Sequence, residues 1–350
     1  MTDRYHSVEL DRRRFMQVSA AAAAGVVTAS ASAVPAPGKT LSNTRNEREG
    51  MPYRVLGRTG FRASRLVFGC GAALMGGKAV RLLERAYEAG VNFYDVGSDV
   101  YYKGSEHALA PFLKAHREEV WVTSKAPLSI IDEHKEGEPL NAKQAKHAAE
   151  YWTKLLDRSL KDLEQDYVDA YYLMAVGDPA LVECEALHEA FLKAKEAGKV
   201  GHFGISTHKR AQQCLASAVK TGWYDLAMIA ITPAGWYDWD SKSLLEGTAA
   251  MKDIQPELDA AKKAGMGLIG MKAGRYLAPK MAALGNGEET AFDTFYDQKF
   301  LESGLNPYQR SYAYVLEHGI DAVNADMQNF KHFEENLHAA VNSHTYFAQA

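Results

Sequence analysis

KAVRLLERAYEAGVNFYD, residues 78–95, holds a helix, a stop and a strand in one run. Val80, Leu83, Ala86 and Tyr87 fall on one helical face, Gly90 ends the helix, and GVNFYD is short and apolar, as a strand covered on both sides must be. The device recurs in ALHEAFLKAKEAGK with Gly198 and in LDAAKKAG with Gly265. Strand-like runs stand at 64–68, 90–95, 119–124, 168–174, 200–206, 225–231, 266–272 and 319–324. Eight parallel strands with helical crossovers predict an α/β fold, a (β/α)8 TIM barrel, whose active site belongs at the C-terminal ends of the strands. Ahead of it, YRVLGRTGFRASRLVFG with its Gly57–Gly60 turn reads as an N-terminal β-hairpin that plugs the opposite end. A doubly wound sheet is disfavoured, because FGCGAALMGG lacks the glycine spacing of a dinucleotide turn and no acidic ribose ligand follows it.

A chain of 350 residues suffices for one such barrel. Forty basic residues stand against forty-four acidic ones, with no long run of either sign, so nucleic acid is excluded as a partner and a small neutral or mildly polar ligand is favoured. Cys70, Cys184 and Cys214 lie far apart without metal-binding spacing, and no metal, iron–sulfur or disulfide site is expected of them. Residues 1–33 read as a twin-arginine signal peptide: Arg12 and Arg13, then Phe15 and Met16, an alanine-rich apolar run, and small residues for cleavage near Ala31 or Ala33. This predicts export by the Tat translocon to a periplasmic or extracytoplasmic place, with no stable membrane span after cleavage. Residues 34–50 read as a polar linker and 51–345 as the barrel.

The strand ends are therefore the residues to inspect. Strand two ends in Asp95 with Tyr101 and Tyr102 in its loop, strand three in Ser124 and Lys125, strand four in Met174, strand five in Ser206, Thr207 and His208, and strand seven in Met271 and Lys272. A lysine beside a tyrosine favours the phenolate, lowering a pKa of about 10, while an aspartate keeps the lysine charged. Such a phenol can give a proton to a carbonyl oxygen or take one from an alcohol, which suits hydride transfer with a nicotinamide.

YRVLGRTG, GVNFYDVGSDVYYKGSE, VWVTSKA, SLKDLEQDYVDAYYL, EAGKVGHFGIST and FEENL occur in this order, and with them the chain resembles the aldo/keto reductases over nearly all of its length past the signal. The resemblance implies a (β/α)8 barrel reducing aldehydes and ketones with NADP or NAD through an aspartate, tyrosine, lysine and histidine. Asp95 and Lys125 match two of these. Val100 stands where the tyrosine is usual, so the role passes to Tyr101 or Tyr102, with Tyr101 favoured. Met174 replaces the histidine and cannot donate a hydrogen bond. The resemblance further implies that Ser206 and Thr207 hold the nicotinamide amide, that Met228 and Met271 replace a glutamine and a stacking aromatic, and that Glu335 and Asn336 meet adenine; His332 stands where a basic residue often holds the 2′-phosphate, so NADP is not preferred over NAD.

From the residues themselves, Lys272 and Arg275 are candidates for cofactor phosphates and His208 for substrate or phosphate. Trp236, Tyr237 and Trp239 form either a stacking wall for a sugar-like or aromatic substrate or plain rim packing. The insertion 131–147 is either a lid or a solvated connection. The expected function is an exported oxidoreductase acting on a carbonyl or alcohol; the alternative is a non-catalytic barrel that binds a ligand or partner.

Overall fold

The computed structural model describes residues 41–280, 285–325 and 327–347; the expected signal peptide lies outside the described residues. In chain order the strands are β1 (Tyr53–Val55), β2 (Arg62–Ser64), β3 (Leu66–Gly69), β4 (Phe93–Asp95), β5 (Trp121–Pro127), β6 (Val168–Met174), β7 (Val200–Thr207), β8 (Leu226–Thr232), β9 (Gly235–Asp238), β10 (Ser243–Leu244), β11 (Gly267–Met271) and β12 (Ala322–Ala325). β3 to β8, β11 and β12 pair in parallel around a closed ring, since β7 also pairs with β8. Each of the eight strands expected from the sequence is in place. Helices such as Arg81–Glu88, Ala142–Asp162 and Glu185–Glu196 supply the crossovers. The ring's seam joins opposite ends of the chain: Leu66 of β3 sits opposite Val323 of β12, and Arg65 bridges to Glu317 at 2.6 Å.

Strand alternation divides the side chains between two cores. Phe93 and Tyr172 point into the barrel, whereas their neighbours Tyr94 and Tyr171 belong to the layer beneath the helices. The hairpin β1–β2 closes the N-terminal end, as expected: Leu56 and Phe61 are fully buried in the barrel core, and Phe61 stacks on Trp121 with centroids 4.6 Å apart. Its turn needs glycine twice over at Gly57, where φ is 48° and a Cβ would lie 2.3 Å from the Gly265 carbonyl oxygen.

Residues 41–50, expected as part of a loose linker, are fastened to the barrel floor. Arg45 is buried and donates to Asp169 at 2.7 Å and to the Val120 carbonyl at 2.9 Å. Asp169 also meets Arg117 at 3.0 Å and accepts from the Val122 amide at 2.8 Å. The segment is polar because its side chains bond to the barrel, not because it is free. No described helix is long and apolar enough to cross a membrane.

Candidate active site

Alternation brings Asp95, Lys125, Met174, Ser206, Met271 and Asn324 into register with the inward-facing residues of their strands, so that one layer of side chains caps the barrel core. At its centre the ammonium of Lys125 lies 2.5 Å from each oxygen of Asp95 and 2.6 Å from the Val96 carbonyl. Both side chains are buried. An ammonium has three protons, and these contacts take all of them. Burial raises the Asp95 pKa, opposed by Lys125 and Asn324.

The two adjacent tyrosines part company. They ride on a single helical turn, Asp99–Tyr102, capped by the Ser98 side chain. Tyr101 is 56 % exposed and meets Tyr102 edge-on. Tyr102 is turned inward, its ring lying in a slot between two glycines: a Cβ on Gly71 would sit 2.7 Å from its Cζ, and one on Gly97 would sit 2.9 Å from its Cε2 and 3.8 Å from Cε of Lys125. The inward phenol is thus Tyr102, and the structure does not bring Tyr101 into the cluster. The expected lowering of the phenol pKa also fails. Burial, and then the Asp95 carboxylate and Tyr101, push Tyr102 up.

The remaining expectations divide. Ser206 lies in the inward register of β7, but Thr207 shares the side of Ile205 under the helices and gives its hydroxyl to the Lys209 carbonyl at 3.1 Å. Met228 and Met271 cap the barrel core, as Met174 caps β6. Glu335 and Asn336 stand in the final helix, Phe330–Phe347, which packs on helix Pro307–Glu317; Asn336 is buried, and Glu335 faces Lys331 at 3.8 Å. Trp236 and Tyr237 are not a stacking wall: β9 pairs with both β8 and β10 and folds them inward to almost complete burial. Trp239 remains at the rim with Nζ of Lys242 3.2 Å, Nζ of Lys272 4.5 Å and Cζ of Arg275 5.4 Å from its ring centre. His208 lies beside the same ring, at 5.1 Å, and burial with Lys272 and Lys242 holds its pKa down at about 4. Its Nδ1 and the Nε of Arg275 are buried without hydrogen-bond partners. The insertion 131–147 is neither loose nor wholly loop: its end belongs to helix Ala142–Asp162, and before that His134 pairs with Asp178 at 2.6 Å and Glu136 with Lys209 at 3.1 Å.

Asn324, on the last strand, escaped the sequence reading. Its amide donates to Asp95 at 2.5 Å and to the Met228 sulfur at 3.5 Å, giving the carboxylate a neutral donor besides Lys125. Nothing in GIDAVNAD marks it; only the closure of β12 onto β3 brings it there. Tyr172, likewise missed, fills the barrel below Asp95 in a space that Gly204 leaves open, where a Cβ would lie 2.3 Å from its ring.

Residues 68–345 match the model of the aldo/keto reductase family. The oxidoreductase YqkF of Bacillus subtilis is 28 % identical over 159 residues, covering 45 % of this chain and 49 % of that one. The oxidoreductase YrpG of the same organism is 27 % identical over 256 residues, covering 69 % of this chain and 72 % of that one. The match thus spans about half the length of YqkF. Among solved structures, the holo form of the aldo-keto reductase AKR11C1 from Bacillus halodurans superposes with a TM-score of 0.60 at 19 % identity, covering 85 % of this chain and 96 % of that one, a likeness of fold.

Proposed function

Because the chain belongs to the aldo/keto reductase family, we propose that it is an NAD(P)-dependent oxidoreductase that interconverts a small carbonyl compound and its alcohol, with Tyr102 exchanging the proton. The observation that carries this reading is the shared position of the Tyr102 ring and the Lys125 stem at Gly97, over a Lys125–Asp95 pair at 2.5 Å. When bound, the nicotinamide supplies or accepts the hydride. A phenol kept protonated by burial is in the form that gives its proton to a carbonyl oxygen. Lys125 is the cation at hand for the phenolate left behind, and Asp95, shared with Asn324, keeps that ammonium in place. With Met174 in the histidine's position, the substrate oxygen has one donor fewer, and Met174, Met228 and Met271 present an apolar, adaptable wall.

The residues present fit a nicotinamide dinucleotide, either NADP or NAD. Lys242, Lys272 and Arg275 gather round Trp239, and the unpartnered Nε of Arg275 is a donor suited to a pyrophosphate, as is Nδ1 of His208 in the tautomer that carries its proton there. Ser206 is the polar group available to a carboxamide. The twin-arginine reading of residues 1–33 carries the further proposal of export through the Tat translocon.

Titration of the purified protein with NADPH and NADH, followed by a panel of aldehydes and ketones monitored at the nicotinamide absorbance, tests the reading. Binding with turnover that Tyr102→Phe removes is expected. Neither binding nor turnover would leave a ligand-binding barrel in its place. Cell fractionation of the full chain against an Arg12→Lys, Arg13→Lys variant tests export, with retention of the variant inside the cell expected.

A further inference from the structure

We propose that Glu106 and His107 are positioning residues for Tyr102, acting through Asp99 on the helical turn that carries both tyrosines. The inference rests on the reading of Tyr102 as the proton-exchanging group. A turn of four residues, Asp99–Tyr102, cannot hold its own shape, since helix formation is unfavourable at that length. It runs straight into a reversal at Lys103 and Gly104, both with positive φ, before helix Ser105–His116 begins.

Reciprocal bonds hold it from outside. The Asp99 amide donates to Glu106 Oε2 at 3.0 Å, and the Glu106 amide donates to Asp99 Oδ1 at 2.8 Å. The other oxygen of Glu106 accepts from the Ser124 hydroxyl at 2.6 Å, and Ser124 is the residue before Lys125 on β5. One wholly buried carboxylate therefore ties the turn bearing Tyr102 to the strand bearing Lys125. Toward solvent, the second oxygen of Asp99 meets Nδ1 of His107 at 2.5 Å, while Nε2 of the same ring lies 3.7 Å from Asp162. The charged groups facing His107 are Asp99, Asp162 and Glu106, with Arg158 beyond on Asp162 at 3.2 Å. The single proton of the Ser105 hydroxyl lies between the Tyr102 and Gly71 carbonyls, whose oxygens are 2.7 and 2.6 Å away, joining the turn to one wall of the tyrosine's slot. A protonated His107 strengthens the outer end of this chain, and a neutral imidazole there weakens it.

The test compares the intact protein with Glu106→Gln and with the surface variant His107→Gln, which leaves the buried Glu106 carboxylate in place. Hydrogen exchange over residues 98–104 and nitration by tetranitromethane, assigned between Tyr101 and Tyr102 by mass spectrometry, read the turn without any substrate. In the parent protein nitration should fall on Tyr101. Glu106→Gln should speed exchange and admit nitration at Tyr102 by about tenfold, with kcat falling similarly and cofactor KM held. His107→Gln should give a smaller loosening and abolish its pH dependence. Unchanged exchange and unchanged sparing of Tyr102 in both variants would overturn the proposal, as would a KM loss without loosening. If the variants release Tyr102 but the parent turns over no carbonyl compound, the positioning stands and the proton-exchange reading falls.

Discussion

Two buried ion pairs lie at opposite ends of the barrel and are built differently. On the floor, Asp169 holds Arg45 at 2.7 Å and Arg117 at 3.0 Å and accepts a backbone amide as well. At the mouth, Asp95 holds one Lys125, with Asn324 as a neutral helper. Guanidinium groups cannot shed their protons, so the floor is committed to its charges. A lysine and an aspartate can both change protonation state, and burial already pushes Asp95 up. The floor spends its charges on cohesion, whereas the mouth keeps groups that can respond, and leaves His208 Nδ1 and Arg275 Nε without partners. Barrel enzymes divide stability and chemistry between these same two ends.

The contrast is sharpened most by removing groups at the mouth. Tyr102→Phe and Lys125→Met should each lower kcat by roughly 10²–10⁴, the range of a lost acid or its partner, in steady-state assays. Tyr101→Phe in the same assay should stay within about twofold, as an exposed side chain does; equal losses at both tyrosines would break the assignment. Next, Asp169→Ala should cost about 3–5 kcal/mol in urea unfolding by stranding the buried Arg45 guanidinium and removing a partner of the half-buried Arg117. Lys125→Met should cost less, because the abandoned Asp95 can take up a proton. A reversed order would dissolve the distinction between the two ends. Trp239→Ala should weaken NAD(P)H binding by a factor of about 2–30, the worth of roughly 0.5–2 kcal/mol of cation–π contact, measured by fluorescence titration.

A further effect concerns pH. His208 titrates at about 4 when folded against 6.5 as a free side chain. Between these values the unfolded chain binds more protons, so stability falls as pH drops through that window and is unaffected above it. His208→Gln should flatten this acid limb in melts taken from pH 7 to pH 4. A melt series that the variant leaves unchanged would mean that the ring is open enough to charge freely.

The barrel was legible because helix, glycine and apolar run repeat locally, and the meeting of Asp95 with Lys125 follows once both are strand ends. What sequence could not decide depends on rotation or on distance along the chain. Tyr101 and Tyr102 differ only by a step around one helical turn, and the reversal at Lys103 and Gly104 that aims them has no period to read. Thr207 differs from Ser206 by the side of the strand it occupies, and its hydroxyl is taken by a local turn. Asn324 reaches Asp95, and Arg45 reaches Asp169, across more than a hundred residues. Trp236 and Tyr237 are buried by a small antiparallel addition to a parallel sheet, which a rhythm of crossovers does not foretell.

The seam between β3 and β12 also sets a timetable. Leu66 can find Val323, and Arg65 can find Glu317, only after nearly the whole chain has left the ribosome. Until then the growing sheet carries an unpaired edge on β3, and closing it requires contacts 252 residues apart and more, the kind that form slowly. Asn324 arrives on that same late strand, so the carboxylate that steadies Lys125 gains its full set of donors only once that strand has docked. A chain that stops short of β12 would have an open barrel and an Asp95–Lys125 pair without its Asn324 donor, and incomplete synthesis would yield a species that quality control can recognise by its exposed edge.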